Sequence, residues 1–232
     1  MKKYSTDDQT FGQLEELGYL GTSSKAHDRP LLICDVDEVI LHLVNPFVEV
    51  LQERGFQLKS HSFKLTGNVY HKDTGTEATQ DEVWAGLTQL FEEQSKRQGI
   101  VDGAMDGLKD LHEHIDIVFL TNMPHEFGDI RRSYLAENDM EYPLVTNTGS
   151  KVPAIEIMQS RCQKTVGFID DTPKNLDQVR QGATDVRLFH FMANDEFRQL
   201  AGDIAGTHFS TGDWPTAKNG ILSVLMENGS GT

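Results

Sequence analysis

Short runs of apolar residues that each end in polar side chains constrain the fold of this chain most strongly. The first run, LLICD, covers residues 31–35 and stops at a carboxylate. Comparable runs follow at residues 115–121, 143–147 and 165–171, with a further candidate near residue 186. A continuous apolar run of this length is typical of a strand that is buried on both faces of a parallel sheet.

Segments with helical spacing separate these runs. They lie at residues 125–137, 152–162 and 174–181, and two more helices are expected at residues 194–200 and 215–226. Strands that alternate with helices at this spacing form right-handed crossovers. The sequence therefore predicts an α/β fold with an open parallel, Rossmann-like sheet.

The stretch after the first strand breaks this alternation. Asn45 and Pro46 predict an N-cap followed by a proline in the first turn of a helix, and a second helix is indicated around residues 83–91. Glycines and β-formers between the two helices indicate a hairpin. We expect a discontinuous core domain of residues 1–44 and 100–232, with a small, mainly helical insertion at residues 45–99.

Charge and composition limit the partners. The chain has 232 residues and a formal net charge of −15, which disfavours binding to a nucleic acid or to an anionic membrane. No stretch approaches the roughly 20 apolar residues of a membrane span. Two cysteines without paired spacing favour a reducing compartment, so a cytoplasmic location is expected.

Polar side chains follow each predicted strand. They are Asp35 and Asp37, then Thr121 and Asn122, then Lys151, and finally Asp170 and Asp171. The carboxyl ends of parallel strands meet at one edge of a sheet, so we expect these groups to converge. Four carboxylates would repel one another unless a cation lay among them, and a site with oxygen ligands only favours Mg²⁺.

This ordered set resembles the four motifs of the haloacid dehalogenase-like (HAD) superfamily. The resemblance covers about residues 30–44 and 100–192, and the insertion after the first motif is similar in position to the C1-type cap of that superfamily. It implies a Mg²⁺-dependent phosphatase that hydrolyses a small-molecule phosphate monoester, with a small phosphorylated metabolite as its partner.

The resemblance also implies roles for the residues. Asp35 would attack phosphorus to form an aspartyl-phosphate, and its ordinary pKa of about 3.9 would keep it ionised. Asp37 would be the acid/base. Thr121, the Asn122 backbone N–H and Lys151 would bind the phosphoryl oxygens. The metal ligands would be Asp35, the main-chain carbonyl of Asp37, and Asp170 or Asp171, without a choice between the last two.

Several related activities are weighed against this one. Halide-displacing members of the superfamily lack the second aspartate, so Asp37 disfavours a dehalogenase. A phosphonatase needs a cap lysine, for which the insertion offers Lys59, Lys64 and Lys72, although surface positions are expected for all three. Sugar phosphomutases share the cap type and the acid/base, so they remain an alternative.

Two alternatives belong to a different class. Receiver domains also combine aspartates, a threonine and a lysine, but their acidic pair follows the first strand, whereas here it comes last. The second alternative is a non-catalytic phosphate-binding protein, which the intact motifs disfavour.

A few other residues are noted without a firm role. Cys34 is expected to be a buried apolar residue rather than a reactive thiol. Met123 and His125 could line the pocket, and His61 and His71 of the insertion could reach a substrate. The stretch from His208 to Trp214 is expected to be a loop that packs against the sheet edge.

Overall fold

A computed structural model describes residues 7–21, 26–59 and 67–227. Its strands, in chain order, are β1 (Leu31–Cys34), β2 (Phe56–Leu58), β3 (Val69–His71), β4 (Asp116–Asn122), β5 (Leu144–Asn147), β6 (Val166–Asp170), β7 (Arg187–Phe191) and β8 (Thr207–Thr211). Its helices are α1 (Asp8–Glu16), α2 (Val44–Glu53), α3 (Gln80–Glu92), α4 (Gln94–Arg97), α5 (Ala104–His112), α6 (Gly128–Ala136), α7 (Val152–Arg161), α8 (Pro173–Gly182), α9 (Asp195–Ala201) and α10 (Trp214–Met226), with a 3₁₀ turn at His125–Phe127 before α6. None of the helices in these described ranges is both long and apolar enough to cross a bilayer.

Six strands form one parallel sheet in the order β5-β4-β1-β6-β7-β8. The apolar runs that predicted strands correspond to β1, β4, β5, β6 and β7, which confirms the predicted α/β fold with an open parallel sheet. Strand β1 lies between β4 and β6, so the residues that follow it emerge at the centre of the sheet.

Both faces of the sheet are covered by helices. Leu32 and Cys34 of β1 point into a core with residues of α5 and α10, while Leu31 and Ile33 point into a core with residues of α1, α7 and α8. This alternation follows from the two-residue period of a strand. It makes β1 apolar at every position, which explains why its sequence signal is continuous. Cys34 is a buried free thiol, as expected.

The chain between β1 and α5 forms a separate small layer. Helices α2 and α3 pack on the antiparallel pair β2-β3 around their own apolar cluster, which includes Phe47, Leu51 and Val83. The two segments that join this layer to the sheet run side by side, because His42 N donates to Gly99 O (2.9 Å) and Val101 N donates to Ile40 O (2.9 Å). We refer to residues 45–99 as the insertion; its status as a separate C1-type cap domain stays a prediction.

Two local predictions are wrong, and one helix was not predicted. Helix α2 begins at Val44 with Leu43 at its N-cap, so Asn45 is not the cap. The segment at His208 is not a loop but part of the edge strand β8, and Trp214 is fully buried at the start of α10. Helix α5 was not predicted, because its apolar residues Leu108 and Leu111 form only a short stripe.

Candidate active site

The first strand leads directly into the predicted nucleophile. Asp35 N donates to Ile169 O (3.0 Å), so Asp35 continues alongside β6 beyond the end of β1. A tight turn follows, in which Ile40 N (2.8 Å) and Leu41 N (2.9 Å) both donate to Val36 O. This turn holds the Asp35 side chain at the centre of the carboxyl edge of the sheet, and its Oδ1 accepts from Val36 N (2.8 Å).

Lys151 links the ends of two strands. Its Nζ lies 2.8 Å from Asp35 Oδ1 and 2.7 Å from Asp170 Oδ2, and all three residues are buried. Burial by itself would lower the pKa of Lys151, but Asp170 and Asp35 outweigh it and hold the pKa above its ordinary value. The ammonium therefore stays charged and lies between two of the predicted site carboxylates.

Three carboxylates meet beside this lysine. Asp35, Asp170 and Asp171 each offer one oxygen, and these oxygens lie within 4.8 Å of one another. Burial, reinforced by the charge of Asp170 against the lowering effect of Lys151, raises the pKa of Asp35 to about 7. Burial and the charges of Asp170 and Asp35 also raise the pKa of Asp171 well above its ordinary value. The ordinary aspartate pKa that the sequence suggested for Asp35 is therefore not the pKa that its buried position gives.

These carboxylates fit a hard divalent cation. The cluster consists of oxygen donors alone, and one lysine does not balance three carboxylates. The side chain of Asp37 is not part of the cluster. The role of its main-chain carbonyl as a metal ligand stays a prediction. Both oxygens of Asp170 already accept hydrogen bonds, from Lys151, the Thr172 N–H and Asn175. Among the described residues, the Asp171 carboxylate accepts a hydrogen bond only from Thr172 Oγ1 (2.9 Å).

Strand β4 ends with the predicted phosphate-binding residues. Thr121 is fully buried, and its Oγ1 is one of two buried side-chain atoms in the described part of the chain without a hydrogen-bond partner. An unpaired buried hydroxyl is costly and calls for a specific explanation. The Asn122 side chain is instead engaged, donating to Gly149 O (2.8 Å) and accepting from Asn147 Nδ2 (2.8 Å), which ties the ends of β4 and β5 together.

The predicted acid/base has two partners that the sequence did not reveal. Asp37 Oδ1 accepts a hydrogen bond from Gln98 Nε2 (2.8 Å) and lies 3.1 Å from Arg131 Nη2. Arg131 is fully buried on α6, one turn before the buried Leu135. A charged residue on the apolar face of a predicted helix was the available signal, because such a residue usually needs a buried counter-ion.

The remaining candidates lie elsewhere or are engaged in packing. Met123 packs with Phe91 of the insertion and with Phe127. His125 bonds to Thr146 Oγ1 (2.6 Å) and Asp7 Oδ2 (3.1 Å), which explains its position without a substrate.

Candidates in the insertion are likewise engaged or lie outside the described residues. Lys59 lies over the ring of Tyr70, Lys72 donates to Gln52 O (3.4 Å), and His71 pairs with Glu82. His61 and Lys64 fall outside the described residues.

No family model and no curated protein matches this sequence. Solved structures do share its fold. A conserved haloacid dehalogenase-like protein of unknown function from Agrobacterium tumefaciens superposes with a TM-score of 0.58 at 12% identity, over 85% of this chain and 99% of that one. A haloacid dehalogenase-like family hydrolase from Streptococcus pneumoniae gives a TM-score of 0.55 at 9% identity, over 82% and 96%.

A third solved structure adds bound ligands. It is a HAD family hydrolase from Deinococcus radiodurans with bound phosphate and sodium, and it gives a TM-score of 0.54 at 13% identity, over 85% of this chain and 96% of that one. At such low identities the likeness shows a common fold. The protein therefore has the fold of the haloacid dehalogenase-like superfamily of hydrolases and phosphomutase-like proteins.

Proposed function

We propose that the protein is a Mg²⁺-dependent phosphatase that hydrolyses a small phosphate monoester through an aspartyl-phosphate on Asp35. The observation that carries this proposal is the position of Asp35. Its Oδ1 lies 2.8 Å from Lys151 Nζ, and one of its carboxylate oxygens lies within 4.8 Å of an oxygen of Asp170 and of Asp171. Carboxylates, a buried cation and an unpaired hydroxyl at one sheet edge suit phosphoryl transfer, which depends on positioning and charge stabilisation.

The metal would be held by Asp35, Asp171 and the Asp37 carbonyl, with Asp170 beside them. We favour Asp171 over Asp170 as the direct side-chain ligand, because the oxygens of Asp170 are already used by Lys151, Thr172 and Asn175. When bound, Mg²⁺ supplies positive charge that neutralises phosphoryl oxygens and favours the ionised form of Asp35.

The proposed reaction has two steps, and different side chains act in each. An Asp35 oxygen forms a bond to phosphorus while the bond from phosphorus to the ester oxygen breaks, and Asp37 gives its proton to the departing alkoxide. Water then attacks the phosphorus, its proton returns to Asp37, and the bond between Asp35 and phosphorus breaks to release inorganic phosphate. Lys151 and the Thr121 hydroxyl would hold the phosphoryl oxygens during both steps.

We expect a small substrate rather than a phosphoprotein. Asp35 is 6% exposed and Asp37 is 9% exposed, so the reacting groups lie below the surface. The insertion contacts the sheet domain beside them, through Phe91 against Met123 and Phe127. A phosphate at the end of a narrow small molecule can enter such a site more readily than a folded protein surface can.

A panel of phosphorylated metabolites, 4-nitrophenyl phosphate and a phosphopeptide tests the proposal. Each is incubated with Mg²⁺ and then with a chelator, and both released phosphate and phosphate-transfer products are measured. We expect hydrolysis of a small ester that stops on chelation. Net isomerisation of a sugar phosphate without release of phosphate would identify a phosphomutase instead, and activity that survives chelation would contradict the metal requirement.

The variant Asp35→Asn tests the nucleophile. The amide has the same shape but cannot form the acyl phosphate, so we expect turnover to fall below detection while the circular dichroism spectrum is unchanged. Asp177→Asn, at an exposed acidic position on α8, is the matched control and should keep wild-type turnover. Wild-type rates in Asp35→Asn would refute the assignment.

A further inference from the structure

The two oxygens of the Asp37 carboxylate have different environments. Oδ1 accepts from Gln98 Nε2 and faces Arg131 Nη2, at 2.8 and 3.1 Å. Among the described residues, none donates a hydrogen bond to Oδ2. One oxygen is thus fixed by two donors, and the other is left to exchange a proton.

Arg131 is an unusual partner because its whole side chain is buried. Its Nε donates to Gln94 Oε1 and its Nη2 to Gln98 Oε1 (3.1 Å), while Nη1 has no partner among the described residues. Asp37 is the single carboxylate within ion-pair distance of Arg131 in the described part of the chain. A buried guanidinium without a counter-ion is strongly unfavourable, so Arg131 depends on Asp37 and also restrains it.

The amides that complete this arrangement come from the end of the insertion. Gln94 lies in α4, and its Nε2 donates to Phe91 O (2.7 Å). Gln98 Nε2 also donates to His42 O (3.0 Å), and Gln98 O accepts from the Tyr134 hydroxyl (2.6 Å). Each partner of the guanidinium is therefore itself held, which leaves Asp37 Oδ1 little freedom to move.

We propose that Arg131, together with Gln98, is a positioning residue for the acid/base, which fixes Asp37 Oδ1 so that Oδ2 meets the ester oxygen of the substrate. The inference rests on the proposed phosphatase activity and deepens it. Arg131 does not touch the substrate. Its planar fork lies against a carboxylate and two amides, and a lysine cannot reproduce that geometry.

Leaving-group dependence separates this role from a purely structural one. A 4-nitrophenolate leaves without a proton, whereas a 4-nitrobenzyl alkoxide needs one from Asp37. The two phosphate esters are nearly equal in size. Because kcat/KM covers the steps through departure of the leaving group, misplacement of Asp37 should lower kcat/KM for the benzyl ester selectively.

The variants are Arg131→Met, Arg131→Lys and Gln98→Leu, with Arg132→Met as the matched control. Arg132 is the next residue on α6 and pairs with Asp129 and Gln13, away from Asp37. For Arg131→Met we expect kcat/KM to fall on the order of 10²-fold for 4-nitrobenzyl phosphate, the scale of lost acid catalysis, and by about threefold or less for 4-nitrophenyl phosphate. Arg131→Lys should show a smaller selective loss, and Arg132→Met should show none.

Inhibition by inorganic phosphate and thermal unfolding monitor the rest of the molecule. Phosphate inhibition should stay near wild type in Arg131→Lys and Gln98→Leu. Both variants should still unfold cooperatively, at a lower temperature than wild type because buried hydrogen bonds are lost, and they decide the question if Arg131→Met does not fold. If kcat/KM falls equally for the two esters, or for neither, the positioning role is overturned, while the proposed phosphatase activity is unaffected. Wild-type protein that hydrolyses neither ester in Mg²⁺ would contradict the proposed function, and the inference with it.

Discussion

At the scale of single residues, the site is distinguished by a buried hydroxyl without a hydrogen bond to the described residues and by carboxylates that lie close to one another. Thr121 buries a hydroxyl that has no hydrogen-bond partner among the described residues, and the carboxylates of buried Asp35 and partly buried Asp171 have raised pKa values. A fold selected for stability alone avoids such arrangements, because each lowers the free energy of unfolding. Their concentration around Lys151 is what supports a ligand and a cation there.

Thr121→Val tests this interpretation of the unpaired hydroxyl. Valine has the same shape and removes a buried polar group that bonds to none of the described residues, so the free energy of unfolding should stay equal or rise by about 1 kcal/mol. Inorganic phosphate should inhibit the variant about tenfold more weakly, because one hydrogen bond to the anion is lost. Denaturant unfolding and inhibition assays measure the two effects. A loss of stability with unchanged inhibition would show that the hydroxyl serves the fold.

At the scale of elements, the turn after β1 is joined to two helices by one side chain. Glu38 has a positive φ of 58°. Its buried carboxylate accepts from Leu43 N (2.7 Å) and Val44 N (2.6 Å) at the start of α2, and from Asn194 N (3.0 Å) at the start of α9. It therefore caps the first helix of the insertion from a position in the turn after β1.

Glu38→Gly separates the two features of this residue. Glycine adopts a positive φ without strain, which gains about 1 kcal/mol, but the loss of a buried acceptor leaves three N–H groups unpaired at about 1–3 kcal/mol each. We expect a net destabilisation of about 2–8 kcal/mol in denaturant unfolding at pH 7. Glu38→Gln, which keeps one acceptor oxygen, should lose less. A glycine variant as stable as wild type would mean that the cap is unimportant.

Helix α1 is attached to the sheet edge through its N-cap. Asp7 accepts from Thr10 N (2.7 Å), and it also contacts Thr148 and His125. Burial would raise the pKa of Asp7, but the hydrogen bonds from Thr148, Thr10 and His125 outweigh it and hold the pKa well below its ordinary value of 3.8. A depressed native pKa means that ionised Asp7 stabilises the fold at neutral pH and that this contribution is lost on acidification.

Asp7→Ala should therefore destabilise the protein by about 1 kcal/mol at pH 7, the usual effect of removing an N-cap. The difference from wild type should remain constant down to about pH 4 and shrink below it, as the wild-type carboxylate binds a proton. Denaturant unfolding at several pH values measures the difference, with Asp8→Ala as the control. A difference that grows on acidification would have the wrong sign for this model.

At the scale of the whole molecule, a net charge of −15 includes a concentrated acidic site that folding must bring together. Repulsion among Asp35, Asp170 and Asp171 opposes folding, and a bound divalent cation relieves it. The stability of the molecule should therefore depend on Mg²⁺ more than on ionic strength in general.

We expect Mg²⁺ at about 100 times its Kd to stabilise the fold by about 2.7 kcal/mol, which for a chain of this size raises Tm by about 5–10 °C. NaCl at matched ionic strength is the control. Asp171→Asn should unfold at a higher temperature than wild type in chelator, because one of three neighbouring carboxylates is removed, and should gain little from Mg²⁺. Equal gains in both proteins would place the cation elsewhere.

The sequence by itself determined which strands end in the polar residues of the candidate site. The runs that form β1, β4 and β6 are apolar at almost every position because both faces of the sheet are covered. A continuous apolar run is a signal that the sequence shows directly, so these strands could be predicted. The polar residues at their ends are adjacent in the chain to those runs, so Asp35, Thr121 and Asp170 could be placed at one edge of the sheet from the sequence.

Only the tertiary structure decided which residues pair with the polar groups of the site. Arg131 meets Asp37 across 94 residues of chain, and Glu38 caps α2 from six residues before its first residue, so Asn45 gave a false signal. Strand β8 also escaped detection, because an edge strand of five residues with alternating exposure carries too few apolar positions. Local patterns record burial, whereas the pairing of buried charges depends on which elements pack together, and only folding fixes that.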